Sequence, residues 1–166
     1  QNNWIVQNTA TSSGGGLYVT SGTYAPVLLN NTVRDNVAQS SLGGGGGVYI
    51  SGRTAVLQNT TIHHNQTTVN DGGGIYITGG ADVTLLDGDI YNNQSADAGG
   101  GISLRSGSTL HMAPAAISPT VALASGTPCQ TLLLAPDHFC VMVRGNSATG
   151  NGGGIYVQGG SQLFSN

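Results

Sequence analysis

The chain has 166 residues, among them 28 glycines, four arginines and seven aspartates, with no lysine or glutamate and a formal net charge of −3. So little positive charge excludes a surface that grips phosphate backbones, and nucleic acid is not an expected partner. A charged fraction of 7% beside 38% apolar residues excludes a solvated disordered tail, the glycines keep no Gly-X-Y period, and Gly, Thr, Asn and Ser stand where a helical protein needs helix formers, which leaves one mostly β domain over 1–166.

The chain opens with Trp4-Ile5-Val6, an aliphatic-x-x-Asn pair (Ile5/Asn8), and a first Gly-Gly-Gly-aliphatic-Tyr-aliphatic block, Gly14 to Val19. Next come Leu28-x-Asn30, Val33/Asn36 and the block Gly45 to Ile50, then Leu57-x-Asn59, Ile62/Asn65 and Gly72 to Ile77. Leu85-x-Asp87 and Ile90/Asn93 lead to Gly99 to Leu104, where Ser103 takes the Tyr position. Ser108 to Met112 repeats the middle segment, and Val143/Asn146 with Gly152 to Val157 completes the last copy. Counted on the third glycine, the blocks lie 31, 27, 27 and 53 residues apart, the last step being close to two periods.

Each copy holds three apolar stretches too short and too β-branched for helices. In Ile75-Tyr76-Ile77 the alternation sends both Ile side chains to one face and Tyr76 to the other. One copy cannot bury its apolar face alone, whereas copies stacked at the ~4.8 Å strand spacing close a continuous core. The expectation is an all-β fold, a parallel β-helix of about five coils of ~27 residues with three short strands each. Expected core columns are Leu17, Val48, Ile75, Ile102 and Ile155, then Val19, Ile50, Ile77, Leu104 and Val157, then Leu28, Leu57 and Leu85. Asn36, Asn65, Asn93 and Asn146 are expected to form an inward side-chain ladder, with Asn30, Asn59 and Asp87 as a candidate second one.

Residues 113–140 break the period and hold four of the five prolines and both cysteines. An inserted side loop or hairpin is expected there, pinned by a Cys129–Cys140 disulfide, which implies an exported protein. The apolar runs fall far short of the ~20 residues a bilayer needs, so no membrane span is expected.

Gly-Gly-Gly-Ile-Tyr with Ile-x-x-Asn resembles the paired Gly-Gly-Ala-Ile and Phe-x-x-Asn motifs of the chlamydial-type polymorphic outer-membrane protein repeat. It is also similar to the wider group of bacterial right-handed parallel β-helix surface proteins. The third Gly stands where that repeat has Ala, and Ile or Val where it has Phe. The resemblance implies a right-handed solenoid, secreted or displayed at the cell surface, with adhesion among the family's roles.

Many right-handed β-helices cut acidic polysaccharides, which takes two or three gathered carboxylates. Asp87 and Asp89 form the only close pair, and one coil back their counterparts are Asn59 and Thr61. No catalytic residue, metal ligand or cofactor is therefore assigned, and the protein is not expected to be an enzyme. His63 and His64 are expected on opposite faces of a strand, as solvated histidines. The sequons at Asn59, Asn65 and Asn93 fall on ladder positions, where a glycan would not fit. Tyr18, Tyr49, Tyr76 and Tyr156 form a candidate outward stripe: a sugar platform, a contact between rods, or ordinary cross-strand stabilisation of an exposed face.

No end cap is evident, and the chain opens at Gln1 rather than at a Met, as a processed or excised segment would. Phe164-x-Asn166 matches Leu57-x-Asn59, and joining the end of one copy to the start of another gives a coil of 28 residues. The expectation is an extracellular structural protein that stacks head to tail with itself through Trp4, Ile5, Asn8, Leu163, Phe164 and Asn166. The alternative is an adhesin segment that binds host or matrix glycans or other surface proteins.

Overall fold

The computed structural model describes residues 1–20, 22–113 and 141–165, and their regular structure is entirely strand. In chain order the strands are β1 (Trp4–Val6), β2 (Thr9–Ala10), β3 (Leu17–Val19), β4 (Val27–Leu29), β5 (Thr32–Arg34), β6 (Val37–Ala38) and β7 (Val48–Ser51). They continue with β8 (Thr54–His63), β9 (Gln66–Thr67), β10 (Ile75–Thr78), β11 (Asp82–Tyr91), β12 (Gln94–Ser95) and β13 (Ile102–Leu104). The last are β14 (Thr109–Ala113), β15 (Val141–Arg144), β16 (Ser147–Ala148), β17 (Ile155–Val157) and β18 (Gln162–Ser165).

Three parallel sheets run along the stack. A long sheet follows the order β1-β5-β8-β11-β14-β18, with β4 on β8 and β15 on β11; a glycine-turn sheet is β17-β13-β10-β7-β3; a short sheet is β16-β12-β9-β6-β2. Five strand levels separated by four steps give a solenoid of about four turns.

The three strands of a coil are not the three stretches read from the sequence. The middle and third stretches lie in one sheet, and β8 and β11 each run ten residues through both. The strand bends at Asn59 (φ 46°) and Asp87 (φ 47°), as the chain does at Asn30 (φ 54°), because one left-handed residue turns a strand without ending its ladder. The third sheet is made instead of two-residue strands directly after each ladder Asn. Two residues carry no readable alternation, which is why that element has no periodic signature.

The expected core columns pair in register: Val48, Ile75 and Ile102 are consecutive partners, as are Leu57 and Leu85. Val48, Ile50, Ile75, Ile77, Ile102, Leu104 and Leu57 are buried, whereas Leu17, Leu28 and Ile155 near the ends are half-buried and Val157 is exposed. End coils have a neighbour on one side only. The triple glycine has three separate causes. Gly72 needs a left-handed φ of 65°, a Cβ on Gly73 would lie 2.4 Å from the Gln94 carbonyl oxygen, and a Cβ on Gly74 would lie 3.0 Å from Asn93 Nδ2.

β14 ends at Ala113 and β15 begins at Val141, both paired with β11. Residues 114–140 of the expected insertion, and with them Cys129 and Cys140, lie outside the described residues. Among the described residues no helix is long and apolar enough to cross a membrane.

Candidate functional site

The Asn ladder runs the length of the solenoid and has a direction. Asn36, Asn65 and Asn93 each donate their backbone N–H and their Nδ2 to Oδ1 of the next Asn, ending on Asn146, at 2.9–3.1 Å. The second Nδ2 hydrogen goes back one coil, from Asn36 to the Ile5 carbonyl, Asn65 to Val33, Asn93 to Ile62 and Asn146 to Ile90. Asn8, assigned from sequence only to the end contact, is the first rung and donates the same two bonds to Asn36. In the candidate second column, Asp87 is buried but Asn30 and Asn59 are not inward. Asn59 Nδ2 does donate to Asn30 Oδ1 at 3.1 Å, but both residues are exposed on the bend. The glycan that a ladder position would bar is thus not barred at Asn59, while Asn65 and Asn93 are buried.

The tyrosine column stands on the outer face of the glycine-turn sheet but is exposed mainly at one end. Tyr18 is 52% exposed and Tyr76 only 9%. Tyr18 stacks on Tyr49 at 4.8 Å with rings 3° from parallel, and Tyr49 on Tyr76 at 5.6 Å. Stacking covers ring faces and turns edges to solvent, so a sugar finds an open face only at the ends of the column. The gap at Ser103 is taken by Arg105, a residue the repeat pattern passed over. Its guanidinium lies 5.0 Å over Tyr156 and pairs with Asp71, whose side chain is buried. Burial pushes the Asp71 carboxyl above its ordinary value, although Arg105 pulls the other way. Burial likewise pushes the Tyr76 phenol up.

The residues expected at a head-to-tail contact sit at the two end faces. Trp4 and Ile5 lie on β1, an edge of the long sheet, and Leu163 and Phe164 on β18, its other edge; Asn166 lies outside the described residues. The register corrects Phe164. It pairs with His111, and through Thr84 and Val56 it joins the outward column that starts at Val27, so Ser165 and not Phe164 stands in the Leu57 column. Phe164 stacks on the His111 ring at 5.0 Å.

The histidine pair also departs from its expectation. His64 is left-handed (φ 53°), which brings both rings to one side, with the two Nδ1 atoms 2.7 Å apart. Asp35, Asn92 and Gly145, at the same position of neighbouring coils, are left-handed too. The readable signal was the residue before four of the five ladder Asn, since Asp, His, Asn and Gly are the types that tolerate this conformation, although Gln7 before Asn8 adopts it too (φ 58°). Burial first, then His64, holds the His63 imidazole below its ordinary pKa. Asp89, half of the only close acid pair, is bound to Arg144 at 2.5 Å, and Asp35 pairs with Arg34. Among the described residues no three His, Cys, Asp or Glu side chains gather to hold a metal ion.

Residues 16–120 match the family described as right handed beta helix region. The chain belongs to that family. In this β-helix, residues 141–158 also match the Chlamydia polymorphic membrane protein repeat, which bears the Val143/Asn146 pair and the last glycine block. A β-helix with this repeat is a surface or outer-membrane-associated protein. No curated protein and no solved structure matches the chain.

Proposed function

We propose that this β-helix is an extracellular, non-enzymatic structural protein that stacks head to tail with copies of itself into a filament or surface fibre. The observation that carries the reading is the direction of the Asn ladder. One end begins with Asn8, whose Oδ1 lies where a preceding rung would donate, and the other ends with Asn146, whose N–H and Nδ2 lie where a following Oδ1 would accept. Unlike ends fit each other and cannot fit themselves, which selects an open heterologous contact over a two-fold one. The same joint would set Tyr156 against Tyr18, Ile155 against Leu17 and edge strand β17 against β3, continuing every column by one step. Large exposed apolar side chains support it: Trp4 (72%) on β1 and Phe164 (45%) on β18 are on the first and last strands of the long sheet, and Val27 (60%) is on β4, which has a partner on one side only. A further coil of the same chain would be received by the same faces, and the assembly of the isolated chain separates the two cases.

The test is negative-stain microscopy and sedimentation of the purified chain over a concentration series. Rods should appear with rising concentration, each added copy lengthening them by about 24 Å, five strand levels at ~4.8 Å. Val157→Arg, which puts a charge on the C-terminal apolar face, should leave single subunits. Monomers at every concentration, or rods unaffected by Val157→Arg, overturn the reading.

A further inference from the structure

We propose that His63 and His64 form a two-nitrogen site for a divalent first-row metal ion of octahedral or square-planar preference, Ni2+ or Cu2+, on the outer face of the long sheet. The inference is independent of the assembly reading. It rests on the 2.7 Å separation of the two Nδ1 atoms. With metal–imidazole bonds of about 2.0–2.1 Å, that separation subtends roughly 80° at the ion. The angle is close to the right angle of neighbouring octahedral or square-planar ligands and far from the tetrahedral angle that structural zinc adopts.

The pair is held in place before any ion arrives. The left-handed backbone of His64 points its ring back toward His63. His63 is stacked on Tyr91 at 4.7 Å with rings 3° from parallel, and the far face of that stack carries the Arg144 guanidinium, 4.5 Å from Tyr91. On the neighbouring coil the Arg34–Asp35 ion pair lies beside the histidines, its two charges acting on His63 with opposite signs. Without metal, one Nδ1 donates its hydrogen to the other. To bind, each neutral ring carries its hydrogen on Nε2 and offers the Nδ1 lone pair, so no proton is released or consumed. Burial favours the neutral form of His63, as binding requires. Water completes the coordination.

Calorimetric titration of the full chain with NiCl2 near neutral pH tests the site. The expected result is one ion per chain, with Ni2+ bound more tightly than Zn2+. His63→Ala and His64→Ala should each weaken binding at least about tenfold, and Tyr91→Ala, which frees the His63 ring, should weaken it by a smaller factor. The double variant His111→Ala/His138→Ala, which removes the other two histidines, should bind as the unaltered chain does. Circular dichroism identifies any variant that has lost its fold, and for such a variant His63→Gln or His64→Gln is the replacement. Absence of nickel binding, binding lost in the His111/His138 double variant instead, or zinc bound at least as tightly as nickel overturns the proposal and leaves the contact an N–H···N hydrogen bond.

Discussion

Asn65 donates twice to a single atom: its backbone N–H and its Nδ2 both reach Oδ1 of Asn93, each at 3.0 Å. Its remaining amide hydrogen reaches the Val33 carbonyl on the previous coil, and its own Oδ1 receives the matching pair from Asn36. One buried side chain thus satisfies polar groups on three successive coils, in an interior where an unpaired group is costly.

Replacing Asn65 by Ala strands the Asn36 N–H, one of the two Asn36 Nδ2 hydrogens and the Val33 carbonyl, while Asn93 Oδ1 keeps the backbone N–H of residue 65. At about 1–3 kcal/mol for each buried unsatisfied group, the variant should lose at least about 3 kcal/mol of stability. Asn8→Ala, on an exposed first rung that only donates, should cost about 1 kcal/mol. Urea unfolding of the two variants measures the difference, and equal costs would mean that the ladder adds little.

Gly73→Ala should abolish cooperative folding. Its Cβ would meet the Gln94 carbonyl oxygen at 2.4 Å and the Gly100 carbonyl oxygen at 2.5 Å, both backbone atoms of the next coil, and could be housed only by parting the stack. Gly80→Ala is the matched control. Nothing lies within 4 Å of that Cβ, so the cost is only that of a left-handed Ala at φ 71°, about 1–2 kcal/mol. Thermal unfolding followed by circular dichroism distinguishes a lost transition from a small shift.

Asp71 should make stability fall as pH rises. Its carboxyl, facing Arg105, Asp97 and Tyr76, is held above the ordinary 3.8 by burial. The folded chain therefore holds this proton more tightly than the unfolded chain does. The contribution is fully present below 3.8 and is lost as pH climbs through the raised folded value. The stability of the unaltered chain relative to Asp71→Asn should accordingly fall, in urea unfolding, as pH rises from below 3.8 through the raised folded value. A relative stability that rises over that range would mean that the Arg105 pair outweighs burial.

The legible part of the fold was whatever repeats with an apolar period. Ile75-Tyr76-Ile77 reads as a strand with Tyr76 outward, and so it is. The Asn at each aliphatic-x-x-Asn reads as a ladder because an amide can bond to its copy above and below, and the hydrogen bonds are there. The site residues were less legible. That His63 and His64 share a side depends on one dihedral angle, and the alternation rule used to separate them holds only for extended backbone. Arg105 was passed over because it stands at a position with no repeat signature, and its partner Asp71 lies 34 residues away in the chain. Phe164-x-Asn166 matches Leu57-x-Asn59 in sequence, whereas cross-strand register alone decides which face a strand residue takes, and one residue of slip reverses it.

By itself, then, the sequence determined that this chain is a stack of equivalent coils and which residues stack. A period of about 27 residues, triple glycines and recurrent Asn are properties of each copy that survive without knowing where the others are. Only the tertiary structure decided where each strand bends, how the ladder is directed, which tyrosines are covered and which ring nitrogens meet. Those follow from left-handed corners and inter-coil register, and each is set by the backbone of the neighbouring coil rather than by the residues it moves.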